Sequence, residues 1–190
     1  MLSGILVKVI GACFSIPLAN LYGADGNDIF ISAYYVYTAM YVISSAGLPV
    51  AVSKMVAESR ALGRGAEIRR IARVSMTAFV LLGAALSLGM MLSVDTLCRF
   101  VGGSCRYAIL TVAPTIFFTC IVSAVRGYYQ GLSNMVPTAA SQIIEAMGKL
   151  LFGLGLARYL MARGYSLDIV VAGAIGGVTL GTVFSAAYVI

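Results

Sequence analysis

A short polar stripe interrupts an apolar stretch of the sequence at residues 136–159. Gln142, Glu145 and Lys149 follow one another at intervals of three and four residues, so a helix would present all three on one face over about two turns. Glu145 precedes Lys149, which is the more favourable order for an ion pair along a helix. Such a stripe can hold a charged substrate group or a coupling ion, or it can neutralise itself and fix helix packing.

Lys8 is a further charged residue inside an apolar segment. A charge in the hydrocarbon region costs at least about 2.5 kcal/mol, and such residues usually face a bundle interior or an aqueous cavity. A functional role for Lys8, Glu145 and Lys149 is therefore favoured over a purely structural one. The sequence has no histidine, no CxxC pair and no nucleophile motif, so we predict no metal site, no cofactor and no enzymatic activity.

The composition indicates a membrane protein. Hydrophobic residues make up 61% and charged residues 11% of the 190-residue chain, whereas about a quarter of a soluble domain is charged. Windows of about 20 apolar residues, the length that spans a bilayer, give six spans. We place them at roughly 3–22, 29–52, 73–94, 106–125, 136–159 and 167–190. The predicted fold class is all-α, a polytopic membrane protein with one transmembrane lobe over residues 1–190.

The connection between the second and third predicted spans, a loop at 53–72, is strongly basic. The loop and the first residue of the next span carry six basic residues and two acidic ones. The basic residues are Lys54, Arg60, Arg64, Arg69, Arg70 and Arg73, and the acidic ones are Glu58 and Glu67. The positive-inside rule places this loop in the cytoplasm, and six spans then place both termini there. The loop also has helical character, with apolar residues that could lie against lipid while its arginines face phosphates. We expect it to attract anionic membrane lipids, at about 1 kcal/mol per base. No nucleic-acid partner is expected, because the rest of the chain is membrane-spanning.

Small and aromatic residues bear on how the spans pack. Gly173, Gly177 and Gly181 form a ridge of small residues in the last span, which predicts tight packing within the bundle or against a second copy of the chain. The row of Tyr34, Tyr37 and Tyr41 occupies one face of the second span. Packing and interfacial anchoring are favoured for that row over stacking on sugar rings.

Two cysteines flank the short connection between the third and fourth predicted spans. Cys98 and Cys105 stand at the ends of CRFVGGSC, and they could form a disulfide. The free-thiol interpretation is favoured, because nearness in sequence does not set disulfide geometry.

Two sequence blocks carry a family resemblance. RGYYQGLSNMVPTAASQIIE, residues 126–145, resembles the RGYxQG turn and the following M-x-P-T-A-x-S-Q-x-x-E of bacterial polysaccharide flippases of the MOP superfamily. SSAGLPVAVSKMVAE, residues 44–58, is similar to their S-x-x-G-L-P-x-A-x-S-K-x-x-x-E. Within that superfamily the chain most resembles the stage V sporulation protein B group, which is related to the MurJ-type lipid II flippases.

The resemblance implies a function, a location and a set of site residues. Such flippases move undecaprenyl-linked polysaccharide or peptidoglycan precursors across the bacterial cytoplasmic membrane, by alternating access of two lobes around a cationic cavity. It implies that Lys8 and Arg126, with Lys149 third, meet the pyrophosphate of the lipid-linked saccharide. Glu145 and Gln142 would bond sugar or peptide groups, or Glu145 would hold a proton or sodium ion. The cavity candidates are Lys8, Arg126, Gln130, Gln142, Glu145 and Lys149.

The sequence departs from the family pattern in two ways. Ser15 and Asn20 stand where family members commonly carry first-span arginines. Family members also have about twelve to fourteen spans in two related lobes, so six spans match only the amino-terminal lobe. The chain is therefore expected to be a fragment, a split gene product or a homodimer, and to need a second transmembrane lobe or a homodimer partner. Alternative functions are a cation-coupled drug exporter of the same superfamily and a non-transporting membrane scaffold.

Overall fold

The structure is a computed structural model that describes residues 9–14, 17–18, 21, 28, 30–32, 34–39, 41–42, 47–101 and 106–189. The described residues before position 43 are helical, and from residue 47 onward the chain is a series of helices. In chain order these are α1 (Leu48–Ala61), α2 (Gly65–Leu92), α3 (Val94–Val101), α4 (Arg106–Gly131), α5 (Val136–Gly148), a π-helical segment (Lys149–Gly153), α6 (Leu154–Ala162) and α7 (Leu167–Val189). The predicted all-α class is confirmed for this part of the chain, which contains no strand.

Within the described residues, three helices are long and apolar enough to cross a membrane. They are α2, α4 and α7, and they overlap the predicted spans at 73–94, 106–125 and 167–190. The predicted span at 136–159 coincides with α5, the π segment and α6, which follow one another without a break. The predicted span at 3–22 and most of that at 29–52 lie outside the continuously described residues. Six spans therefore stay a prediction.

The basic segment 53–72, predicted as a loop, is helical except for a short turn. Helix α1 continues to Ala61, the turn takes residues 62–64, and α2 begins at Gly65. Gly63 makes the reversal with a φ of 68°, a left-handed conformation that glycine adopts without a steric penalty. The alanine, glutamate and arginine residues that fill this segment are good helix formers, in agreement with its predicted helical character, but the turn at residues 62–64 was not predicted.

The short helix α3 was not predicted either. It begins directly after the turn at Ser93, with Asp95 in its first turn and Arg99 in its last, where each charge suits the helix dipole. Asp95 also lies 3.5 Å from Arg106 at the start of α4. Cys98 lies in α3, but Cys105 is outside the described residues, so the predicted free-thiol state of that pair stays a prediction.

Helix α4 is the centre of the bundle and packs against α1, α2, α5 and α7. Two-thirds of its most apolar window is buried, 67%, against 28% for α2, so α2 is much less enclosed by the described residues. The α1–α4 crossing is close because Gly127 lies against the backbone of Pro49 and Gly131 against Ser53 and Val56. The two sequence blocks at 44–58 and 126–145 therefore pack directly on one another.

Candidate functional site

Three charged side chains from α4 and from the α5–π segment join in one buried cluster. Glu145 stands at the centre: its Oε2 accepts a hydrogen bond from Arg126 Nη2 at 3.0 Å, and its Oε1 lies 2.9 Å from Lys149 Nζ. The predicted ion pair between Glu145 and Lys149 is confirmed. Arg126 arrives from α4, 19 residues earlier in the chain, so its pairing with Glu145 depends on the tertiary fold.

Two serines complete the surroundings of the arginine. Arg126 Nε donates to Ser141 Oγ at 2.9 Å, and Nη2 also lies within hydrogen-bond distance of Ser185 Oγ, at 3.3 Å. Each serine hydroxyl then donates to a backbone carbonyl, that of Thr138 at 2.8 Å and that of Ser141 at 3.0 Å. The guanidinium is thus tied to α5 and α7 at once. Sequence analysis missed the part played by Ser185, whose only signal is a small polar residue in an apolar span.

The members of the cluster differ in exposure. The side chains of Arg126 and Glu145 are each 11% exposed, whereas that of Lys149 is 26% exposed. Among the described residues the cluster contains two cations and one carboxylate, which leaves one excess positive charge. Lys149 therefore presents the more accessible of the two positive charges.

Glycines hold the segment that carries Glu145 and Lys149 against α7. A Cβ built on Gly181 would lie 2.7 Å from the Glu145 carbonyl oxygen and 2.9 Å from the Lys149 amide nitrogen, and Gly177 lies against the backbone of Gly153. The π segment begins at Lys149, within this crossing. Such π-helical insertions are often found at functional sites.

The glycine ridge therefore packs within the helix bundle, which was one of the two predictions for it. Gly177 and Gly181 are buried against α5 and the π segment, and Gly173 lies against Leu160 of α6. In this arrangement the ridge is covered and is not a face for a second copy of the chain. The suggestion of a homodimer through these glycines is corrected accordingly.

An aromatic row lies beside the cluster. The ring centroids of Phe30, Tyr34, Tyr37 and Tyr41 follow one another at 5.7 to 5.8 Å. Tyr37 is 4% exposed and belongs to the hydrophobic core, in agreement with the packing role favoured for this row. Tyr34, by contrast, is 43% exposed, and both phenols lie within electrostatic range of the Lys149 ammonium group.

Two of the remaining candidate site residues lie on the helices that carry the charged cluster. Gln142 is half-buried on α5, one turn before Glu145, and Gln130 is half-buried one turn beyond Arg126 on α4. The cluster's recorded hydrogen bonds are made by other side chains. Lys8 lies outside the described residues, as do Ser15 and Asn20.

Comparison with known proteins agrees with the resemblance found in the sequence. The family model for polysaccharide biosynthesis proteins matches residues 1–190. The lipid II flippase MurJ of Bacillus subtilis (strain 168) is 27% identical over 175 residues, which cover 87% of this chain and 32% of that protein. Stage V sporulation protein B of the same strain is 25% identical over 150 residues, 78% of this chain and 29% of that protein.

A third relative from the same strain is the uncharacterized membrane protein YabM, 28% identical over 183 residues, which cover 96% of this chain and 34% of that protein. The chain thus spans about a third of the length of these curated relatives. No solved structure matches. Because the family match covers the whole sequence, this membrane protein belongs to the polysaccharide biosynthesis protein family.

Proposed function

We propose that the chain forms the amino-terminal lobe of a flippase for lipid-linked saccharides in the bacterial cytoplasmic membrane. In this proposal it has six spans with both termini in the cytoplasm, and it moves undecaprenyl-linked polysaccharide or peptidoglycan precursors by alternating access with a second lobe. The family membership and the flippases among its relatives support this class of function. The lengths of those relatives support the need for a further part.

The observation that carries the proposal is the excess positive charge of the Arg126–Glu145–Lys149 cluster. An uncompensated charge at membrane depth is costly, so it is retained where it meets water or an anionic partner. The pyrophosphate of a lipid-linked saccharide is such a partner, and it would neutralise the charge as it enters the site. A packing role alone would be served by a neutral pair.

Within this cluster we assign the phosphate contact to Lys149. The Nε and Nη2 atoms of Arg126 are already engaged by Ser141, Ser185 and Glu145, which leaves that guanidinium the two N–H groups of Nη1. Lys149 is the more exposed cation. Its ammonium group has three N–H donors, and the contact with Glu145 occupies one of them. Arg126 then acts through Glu145, because it holds the carboxylate that orients Lys149.

Polar side chains around the cluster are suited to the saccharide. Gln142 and Gln130 are half-buried amides, which offer both donors and acceptors to sugar hydroxyls. The exposed ring of Tyr34 offers an apolar face to a sugar ring close to Lys149. We keep Lys8 as a further phosphate contact, on its sequence position alone.

A binding experiment tests the site without the missing lobe. The purified chain in lipid nanodiscs is titrated with a fluorescent undecaprenyl pyrophosphate saccharide. We expect Lys149→Met to weaken binding about tenfold or more, the effect of losing a charge-assisted hydrogen bond. Lys54→Met removes an exposed lysine of α1 and serves as the matched control, with unchanged binding expected. Equal binding by the two variants would mean that the cluster only holds the helices together.

A transport experiment tests the half-transporter part of the proposal. Proteoliposomes that contain the chain alone, or the chain with the carboxy-terminal part of a family member, are loaded with the same labelled precursor. We expect precursor movement between leaflets only when both parts are present, because alternating access needs two lobes. Precursor movement by the chain alone would contradict the half-transporter proposal. The same holds if the two parts together bind the precursor but do not move it.

A further inference from the structure

A cleft lies beneath the turn that joins α1 to α2, away from the charged cluster. It has a volume of about 490 Å³, and its walls carry the side chains of Glu58, Arg64, Glu67 and Arg70. We call it the hairpin cleft. Ser59 and Ser75, which are 5% and 9% exposed, give it a buried polar lining.

The charges around the hairpin cleft are only partly paired. Arg64 lies 3.5 Å from Glu67, which also accepts a hydrogen bond from the Ser59 hydroxyl at 3.4 Å. For Arg70 and Glu58, the structure records no ion pair within the residues it describes. The cleft therefore offers a guanidinium and a carboxylate together, and a ligand that carries both signs of charge would complement it.

The position of the cleft along α2 points to the headgroup layer of a membrane. Helix α2 has 28 residues, which gives a length of about 42 Å, whereas the hydrocarbon core is about 30 Å thick. The excess length must project from the core, and the charged residues Glu67, Arg69, Arg70 and Arg73 mark the amino-terminal end as the projecting one. The cleft at that end is thus level with phospholipid headgroups.

An apolar cleft of about 250 Å³ shares the side chain of Ser75 with the hairpin cleft. Its walls include Met76 of α2 together with Val125 and Tyr128 of α4. A cleft with charged walls that lies next to an apolar one suits an amphipathic ligand better than a soluble one. The two clefts together match a charged headgroup with an attached acyl chain.

We propose that the hairpin cleft binds the headgroup of an aminophospholipid, a zwitterion with a phosphate and a primary ammonium. The phosphate lies against Arg70 and Arg64, the ammonium against Glu58, and an acyl chain follows the apolar cleft. A basic surface alone would attract anionic lipids, but the carboxylates of the cleft repel a headgroup without a cation. This site lies apart from the proposed transport site and does not depend on the flippase function.

The test is a lipid titration of the delipidated chain in detergent, followed by thermal unfolding. We expect phosphatidylethanolamine to raise the unfolding temperature more than phosphatidylglycerol does. Arg70→Gln should weaken phosphatidylethanolamine binding about tenfold, and Glu58→Gln should shift the preference towards phosphatidylglycerol. Both side chains are exposed, so the variants are expected to fold as the parent does.

Arg69→Gln is the matched control, since Arg69 neighbours Arg70 and is equally charged and exposed but does not line the cleft. Equal losses for Arg69→Gln and Arg70→Gln would overturn the site and leave only a general electrostatic attraction. A preference of the parent chain for phosphatidylglycerol would overturn the assignment of an aminophospholipid. Glycerophosphoethanolamine, the soluble headgroup without acyl chains, is tested in parallel. If it binds as tightly as phosphatidylethanolamine, the proposal that the ligand is a membrane lipid is overturned.

Discussion

Gly148 approaches Gly181 so closely that a Cβ built on Gly148 would lie 2.5 Å from the Gly181 Cα. This contact lies between the two charged residues of α5 and the π segment, and it brings the backbone of α7 directly behind them. Ser185, one turn further along α7, reaches Arg126 from the same crossing. The glycine contact therefore sets both the helix packing and the position of the charged cluster.

The first prediction concerns this crossing. Gly181→Ala places a methyl group among backbone atoms that have no room to give way, so α7 must shift away from α5. Overpacking of this kind costs about 1–3 kcal/mol, and we expect a corresponding fall in the unfolding temperature of the purified chain. The same variant should weaken binding of the pyrophosphate-linked precursor, because Ser185 and Glu145 move apart.

Gly155→Ala is the control for that experiment. Gly155 is a helical residue of α6 with open space where a Cβ would stand. Alanine there is expected to leave stability unchanged or to raise it by up to about 1 kcal/mol. If the two alanine variants behaved alike, the close contact between α5 and α7 would be wrong.

The second prediction concerns the contact between α1 and α4. A Cβ on Gly131 would lie 2.6 Å from both the Ser53 carbonyl oxygen and Val56 Cβ. Gly131→Ala should therefore push α1 outward and loosen the hydrogen bond that Arg60 donates to the Leu132 carbonyl. We expect faster trypsin cleavage at the turn at 62–64. Gly89→Ala on α2 fills open space and should leave the cleavage rate unchanged.

Local spacing predicted the features that depend on one helix. The order of Glu145 and Lys149 along the sequence was enough to predict their ion pair, because residues four apart are neighbours on any helix. The three helices that are long and apolar enough to cross a membrane were each predicted as spans from the length of their apolar windows. The spacing of Gly173, Gly177 and Gly181 predicted close packing, but it did not say which surface would be covered.

Features that depend on two or more elements were not predictable in this way. No local pattern pairs Arg126 with Glu145 or brings Ser185 to the same guanidinium, since α4, α5 and α7 meet only in the folded bundle. The π segment has no sequence signal of its own, because its residues are ordinary helix formers except for Gly153.

The third prediction tests the orientation in the membrane. The native cysteines are first replaced by alanine, and a single cysteine is then placed at Leu62, in the α1–α2 turn, or at Tyr165, between α6 and α7; both residues are exposed. A membrane-impermeant maleimide applied to intact cells should label Tyr165→Cys, while Leu62→Cys should react only after lysis. The opposite pattern would invert the proposed topology, and labelling of both sites from outside would exclude an odd number of spans between them.

The fourth prediction follows from the charges of the cluster. Glu145→Gln leaves two neighbouring cations without a counter-charge and should cost about 3–5 kcal/mol of stability. Arg126→Gln and Lys149→Gln each leave a neutral pair, so each should cost less, about 1–3 kcal/mol. These differences are measured by unfolding the purified variants, with Lys54→Gln as an exposed control that should stay within about 0.5 kcal/mol.

A double variant separates lost charge balance from lost packing. Glu145→Gln combined with Lys149→Gln has one buried cation instead of two, although it has lost one more native side chain. If the cations repel one another as the geometry requires, the double variant is more stable than Glu145→Gln alone, and the double-mutant cycle gives a coupling energy of about 0.5–3 kcal/mol. Additive losses would mean that Glu145 and Lys149 act independently. Lys149 would then be free of the carboxylate, and its assignment as the oriented phosphate contact would fail.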